Sequence, residues 1–97
     1  MYQIENQIAN IEYKGVTVKK LASKKGCETV LIAIEKGHTI PDHTSPRDTL
    51  LVMLEGVIQL HINGKEYSLE KFQSFNFPAK EIHKVLAITD SKLLIIR

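Results

Sequence analysis

Cysteine is nearly missing from this sequence, and Cys27 alone can form neither an internal disulfide nor a thiolate zinc cluster. A reducing compartment suits such a chain. Long apolar runs are missing too. Val30 to Ile34 and Leu50 to Leu54 are the longest, at five residues each, where a membrane helix needs about 18 to 20. The opening Met1-Tyr2-Gln3-Ile4-Glu5-Asn6-Gln7 has no basic segment leading into an apolar core, so no secretory signal is expected and the location read from the sequence is cytoplasmic, without membrane attachment. No strong charge of one sign is present: 13 basic and 11 acidic residues leave +2, far from the field of a dedicated nucleic-acid binder. Five lysines do fall between Lys14 and Lys25 with no acidic residue among them. They read as a solvated edge around a hairpin tip at Lys24-Lys25-Gly26, because the arginines and aromatics that recognise phosphates and bases are missing there. Nucleic acid is not an expected partner. At 97 residues there is room for one domain and for no separate helix-turn-helix segment. No phosphate-cradling glycine loop and no serine elbow occurs.

What is present is a succession of short β-branched runs separated by turn residues, the pattern of an all-β chain. Its clearest unit follows Gly56. Ile58, Leu60 and Ile62 share one parity, Gln59 and His61 the other, and Asn63-Gly64 supplies the two positive-φ positions of a tight hairpin before Tyr67 and Leu69 resume the alternation. Further strands are expected over Val16–Ala22, Cys27–Glu35, Thr49–Glu55, Ser74–Phe77, Glu81–Thr89 and Lys92–Arg97. With no helix between them, these make an antiparallel sandwich or barrel. Residues 1–13 stand apart. Ile4, Ile8 and Ile11 would align on a short helix, or the segment is an extended arm; residues 14–97 then form the single barrel domain. Phe72, Phe75, Phe77, Tyr67 and the methionines read as core, with Met53 and Phe77 as candidate pocket walls, and Cys27 reads as a small buried residue.

Chemistry concentrates around two histidines. On the strand after Glu81, His83 shares a face with Val85 and Ala87, so it points among small apolar neighbours and needs a hydrogen-bond partner or a ligand. Glu81 has the same parity, and Asp48 lies in a neighbouring loop; either would complete a site of two histidines and one carboxylate. His61 lies opposite the apolar residues of its strand and reads as outward.

The stretch Gly37-His38-Thr39-Ile40-Pro41-Asp42-His43-Thr44-Ser45, with Thr49 and Gly56, resembles the first motif of the cupin superfamily: glycine, five residues, His-x-His, three or four residues, glutamate, six residues, glycine. Pro78 to His83 echoes the second motif, with Ala87 at its asparagine position and with Phe72 and Lys80 where glycines are usual. The resemblance spans residues 14–97 and implies a cupin-type antiparallel β-barrel, or double-stranded jelly roll. In that family three histidines and a glutamate hold a metal inside the barrel. Carried over by position, His43 is the first ligand, Ser45 replaces a histidine, Thr49 replaces the glutamate and His83 is the last ligand.

Two functions follow. One is a binding module whose mouth, lined by His43, Ser45, Thr49 and His83, holds a small polar ligand, a weakly held divalent metal, or both, with no assigned reaction. The other is a metal-dependent enzyme with Fe, Mn, Ni or Zn on His43 and His83, running dioxygenase, isomerase or decarboxylase chemistry. Apolar residues on both faces of several strands lead to the further expectation of a homodimer.

Overall fold

A computed structural model describes residues 2–97. The described residues form one short helix, α1 (Gln7–Asn10), and nine strands: β1 (Val16–Lys24), β2 (Cys27–Ile34), β3 (Thr39–His43), β4 (Thr49–Glu55), β5 (Val57–Ile62), β6 (Lys65–Glu70), β7 (Ser74–Phe77), β8 (His83–Ala87) and β9 (Ser91–Ile96). They build a five-stranded sheet in the order β1-β2-β9-β4-β7 and a four-stranded sheet in the order β3-β8-β5-β6, with every ladder antiparallel. The chain is all-β, and the two sheets face each other as a jelly roll whose barrel is not closed.

Alternation decides which face each strand buries. On β5, Ile58, Leu60 and Ile62 are buried while Gln59 and His61 are half-exposed. The turn that follows has φ of 52° at Asn63 and 72° at Gly64, as a tight hairpin requires. Ile34, Leu51, Met53, Phe77, Val85 and Leu93 meet the β5 residues in one apolar core between the sheets. The opposite face of the five-stranded sheet is apolar as well. There Ile11 packs on Leu31 and Ala33, flanked by Tyr13, Leu21, Leu54 and Leu94.

A polar cluster holds this N-terminal cover in place. Lys92 Nζ donates to the Ile8 carbonyl at 2.9 Å and lies 3.8 Å from Glu55, while the Tyr13 hydroxyl donates to the Glu55 carboxylate. Burial, reinforced by Glu55, keeps the Tyr13 hydroxyl protonated well beyond the usual tyrosine range. Nearby, Gly56 has φ of +83°, and a Cβ there would overlap the Asp90 carbonyl oxygen and come within 2.8 Å of the Ser91 Cα. Only glycine fits that crossing.

Within residues 1–13 the helix is the single turn α1, which begins after Ile4, so Ile4 and Ile8 are exposed and only Ile11 is buried. Three expectations require correction. Phe72 is 80% exposed rather than core, since it occupies the β6–β7 turn with φ of 70° instead of a strand face. Tyr67 is at the margin of the core and exposed. Cys27 is exposed because it sits directly after the hairpin tip, opposite Lys24 at the sheet's edge. Met53 is buried as expected; Met1 lies outside the described residues. Among those residues no helix is long and apolar enough to cross a membrane.

Candidate functional site

The site begins with an extra residue in β3. Thr39 pairs with Leu86 and Ile40 with Val85, but the next partner of β8 is His43 opposite His83, so the register shifts by one between Ile40 and His43. Such a bulge re-aims a side chain, and here it sets the two histidines directly across from each other. Pro41 sits inside it, where a missing N–H costs no ladder bond. The imidazole centroids are 4.0 Å apart with planes tilted by 60°. His83 is buried and His43 exposed, placing the pair at a mouth between solvent and core.

Both rings are oriented by backbone. His43 Nδ1 lies 2.8 Å from the Pro41 carbonyl oxygen and His83 Nδ1 3.0 Å from that of Glu81. A carbonyl can only accept, so each Nδ1 carries a hydrogen, and in the neutral ring Nε2 then keeps its lone pair. Among the described residues no protein group bonds either Nε2. Burial first, and then the neighbouring His43, hold His83 below the ordinary value of 6.5, against the opposing pull of its bond to Glu81. His83 is therefore neutral at pH 7. Phe77 lies against it with the rings tilted by 52° and their centroids 4.6 Å apart.

The loop before β4 and the first residue of β4 contribute one buried hydroxyl each, Ser45 and Thr49. Thr49 Oγ1 lies 3.0 Å from the Arg47 carbonyl oxygen and 3.1 Å from Ser45 Oγ, and Ser45 is in turn fixed by its own carbonyl, which accepts from Lys80 N–H at 2.8 Å. His43, Ser45, Thr49 and His83 all line one cavity of about 110 Å³ between the sheets, whose other walls are mainly apolar. The structure thus brings together the four residues singled out for ligand binding. Phe77 is on the wall; Met53 is in the core beneath it. Sequence reasoning missed Arg97, which also lines the cavity. The available signal was parity, since Leu93, Ile95 and Arg97 alternate along one strand direction and the first two face the same cavity.

No carboxylate joins the histidines. Asp48 accepts the Ala79 N–H at 2.9 Å, tying the two motif loops together. Glu81 precedes β8, so strand parity does not extend to it; its carbonyl serves His83, and its side chain lines an outer cleft of about 680 Å³ with Asp42, His61 and Glu66. His61 is on that outer side, 3.9 Å from Glu66. Among the described residues no group of three or more His, Cys, Asp or Glu is arranged to hold a metal. Two imidazoles beside two neutral hydroxyls do not fit the three-histidine, one-glutamate centre that the cupin motif implies.

The cupin domain profile matches residues 30–96. This chain belongs to the cupin family. Solved cupins agree in fold: one of the cupin superfamily from Desulfitobacterium hafniense is 20% identical, covering 99% of this chain and 90% of its own at a TM-score of 0.87. A conserved protein of unknown function from Streptococcus pyogenes is 18% identical, with coverage of 99% and 86% and a TM-score of 0.86. Salicylate 1,2-dioxygenase from Pseudoaminobacter salicylatoxidans (a G106A mutant) is 17% identical, covering 84% of this cupin and 26% of the dioxygenase chain at a TM-score of 0.77. No curated protein matches the chain.

Proposed function

We propose that this cupin is a binding module that takes a small polar ligand at its mouth through His43, Ser45, Thr49 and His83. The observation that carries this is the pair of backbone-anchored imidazoles, 4.0 Å apart, whose Nε2 lone pairs remain for a guest. Among the described residues every fully buried side-chain polar atom has a partner, so the two fixed Nε2 atoms, which no protein group bonds, are the polar atoms of this wall left for water or a guest. A cavity of about 110 Å³ is smaller than the usual ligand pocket and limits the guest to a few heavy atoms. A divalent ion would have two imidazoles and otherwise water, which gives weak retention. Metal-dependent catalysis on His43 and His83 is the weaker reading for the same reason, since the likeness to the dioxygenase extends to the fold alone.

The test is NMR titration of the histidine side chains with 1,3-butanediol, a small neutral polar probe, beside titration with Zn²⁺. Saturable shifts of both rings with the diol, lost in the His43→Gln, His83→Gln double variant while the fold persists, support the reading. Tight stoichiometric Zn²⁺ binding that the diol cannot disturb would replace it with the metal reading. We also propose that a second copy partners this chain, because Tyr2 and Ile4 project fully from its surface at 102% and 92% exposure. Light scattering should give about twice the chain mass; the monomer mass would refute it.

A further inference from the structure

The charges around the mouth narrow the ligand class, on top of the reading just given. Arg97 lines the inner cavity and also an adjoining outer cleft of about 300 Å³ that holds Lys24, Arg47 and Glu28. Its guanidinium contacts the Glu28 carboxylate through Nε at 3.1 Å and Nη2 at 3.0 Å. Lys20 takes the other Glu28 oxygen at 3.1 Å. One carboxylate is thus shared by two cations, while Lys24 and Arg47 form no ion pair among the described residues. Lys24, Arg47 and Arg97 line that cleft against Glu28 alone, so cationic side chains outnumber the anionic one there. Asp48, in the loop before β4, is turned to the Ala79 N–H instead.

The histidine pair has the opposite demand. With both Nδ1 hydrogens committed to carbonyls, the two Nε2 atoms are acceptors and call for a donor from the guest. A carboxylate set against two lone pairs would be repelled there, and at the rim it would be held by a planar guanidinium suited to it. Leu51, Phe77 and Leu93 give the same cavity apolar wall. We infer that the ligand is a short hydroxycarboxylate, its hydroxyl donating to the histidine pair and its carboxylate seated at the Arg97 rim.

Three matched probes test this by calorimetry at fixed salt: 3-hydroxybutyrate, butyrate, which lacks the hydroxyl donor, and 1,3-butanediol, which lacks the charge. The hydroxy acid should bind at least about tenfold more tightly than either, as expected for one charge-assisted contact and one hydrogen bond. In Arg97→Gln the preference for the acid over the diol should shrink to about twofold. Arg47→Gln, in an exposed loop, should reduce it in the same direction and serves if the first variant does not fold. Equal binding of acid and diol overturns the carboxylate assignment and leaves the polar-ligand reading standing. Equal binding of butyrate and 3-hydroxybutyrate overturns the hydroxyl assignment, and an unchanged preference in both arginine variants overturns the rim. Binding of none of the three overturns this inference together with the proposed function.

Discussion

The two ends of this jelly roll are built from similar polar residues and put them to different use. At the end where β4 passes into β5, Ser91 Oγ is placed to donate to the Thr89 carbonyl at 2.8 Å or the Val57 carbonyl at 3.2 Å, Thr89 Oγ1 accepts Val57 N–H at 3.0 Å, and Asp90 accepts Lys36 N–H at 2.8 Å. Each group there is occupied by its own chain. At the other end His43 and His83 also bond backbone, but only through one nitrogen each, and the second faces a cavity. Full internal satisfaction marks structure, whereas a fixed group with spare capacity marks a place for a guest.

Breaking the closed end should cost the most. Gly56→Ala places a methyl against Asp90 and Ser91 at a positive φ, and urea unfolding should show a loss of about 3 kcal/mol or more, through steric overlap and backbone strain together. A near-neutral result would mean that the crossing is loose.

A matched pair of serines sharpens the contrast. Ser91→Ala removes the fully buried hydroxyl of the closed end and should cost about 1 to 2 kcal/mol. Ser45→Ala should cost less than about 1 kcal/mol, because Thr49 keeps the Arg47 carbonyl as acceptor; its effect belongs in the diol titration instead. Equal losses in thermal melts of the two variants would erase the distinction.

Acid should weaken the mouth by a smaller amount. An unfolded imidazole takes a proton near 6.5, while the buried His83 resists it. The unfolded state therefore binds more protons below that pH, and stability falls as pH drops through 6.5, levelling once the folded histidine also protonates. His83→Gln should flatten that part of the pH dependence of the melting temperature; an unaltered slope assigns it to other groups. The smallest effect is a gain. Lys80 and Phe72 have φ of 69° and 70°, at positions where the cupin motif has glycine, and either →Gly change should add about 0.5 to 1 kcal/mol in urea melts.

Much of this was legible because alternation is a direct record of burial. Ile58, Leu60 and Ile62 on one face, and His83 with Val85 and Ala87 on another, could be read by counting in twos, and the second turned a lone histidine into an inward one. His43 was different: a β-bulge breaks the count, so only motif spacing pointed to it. Glu81 misled by the same rule, since parity holds only while the backbone is extended and β8 begins at His83. Phe72 and Cys27 look apolar enough for a core but lie at turns, and a residue's hydrophobicity does not say where the chain reverses. Arg97 went unnoticed as a strand-terminal charge. The closed end left the least trace, being made of carbonyls, caps and one glycine with no periodicity to reveal them.

The strand order has a bearing on how the molecule comes into being. Within the five-stranded sheet β9 lies between β2 and β4, so residues 91–96 join two pieces that do not otherwise touch in the ladder. A growing chain can make the β1–β2 hairpin early. The apolar edge of β2 then waits, bare, for a partner some sixty residues later. Non-local closure of this kind places folding in the slow, millisecond-to-second regime, and during that interval Val30 to Ile34 is the segment through which a newly made chain would meet a chaperone or another copy of itself.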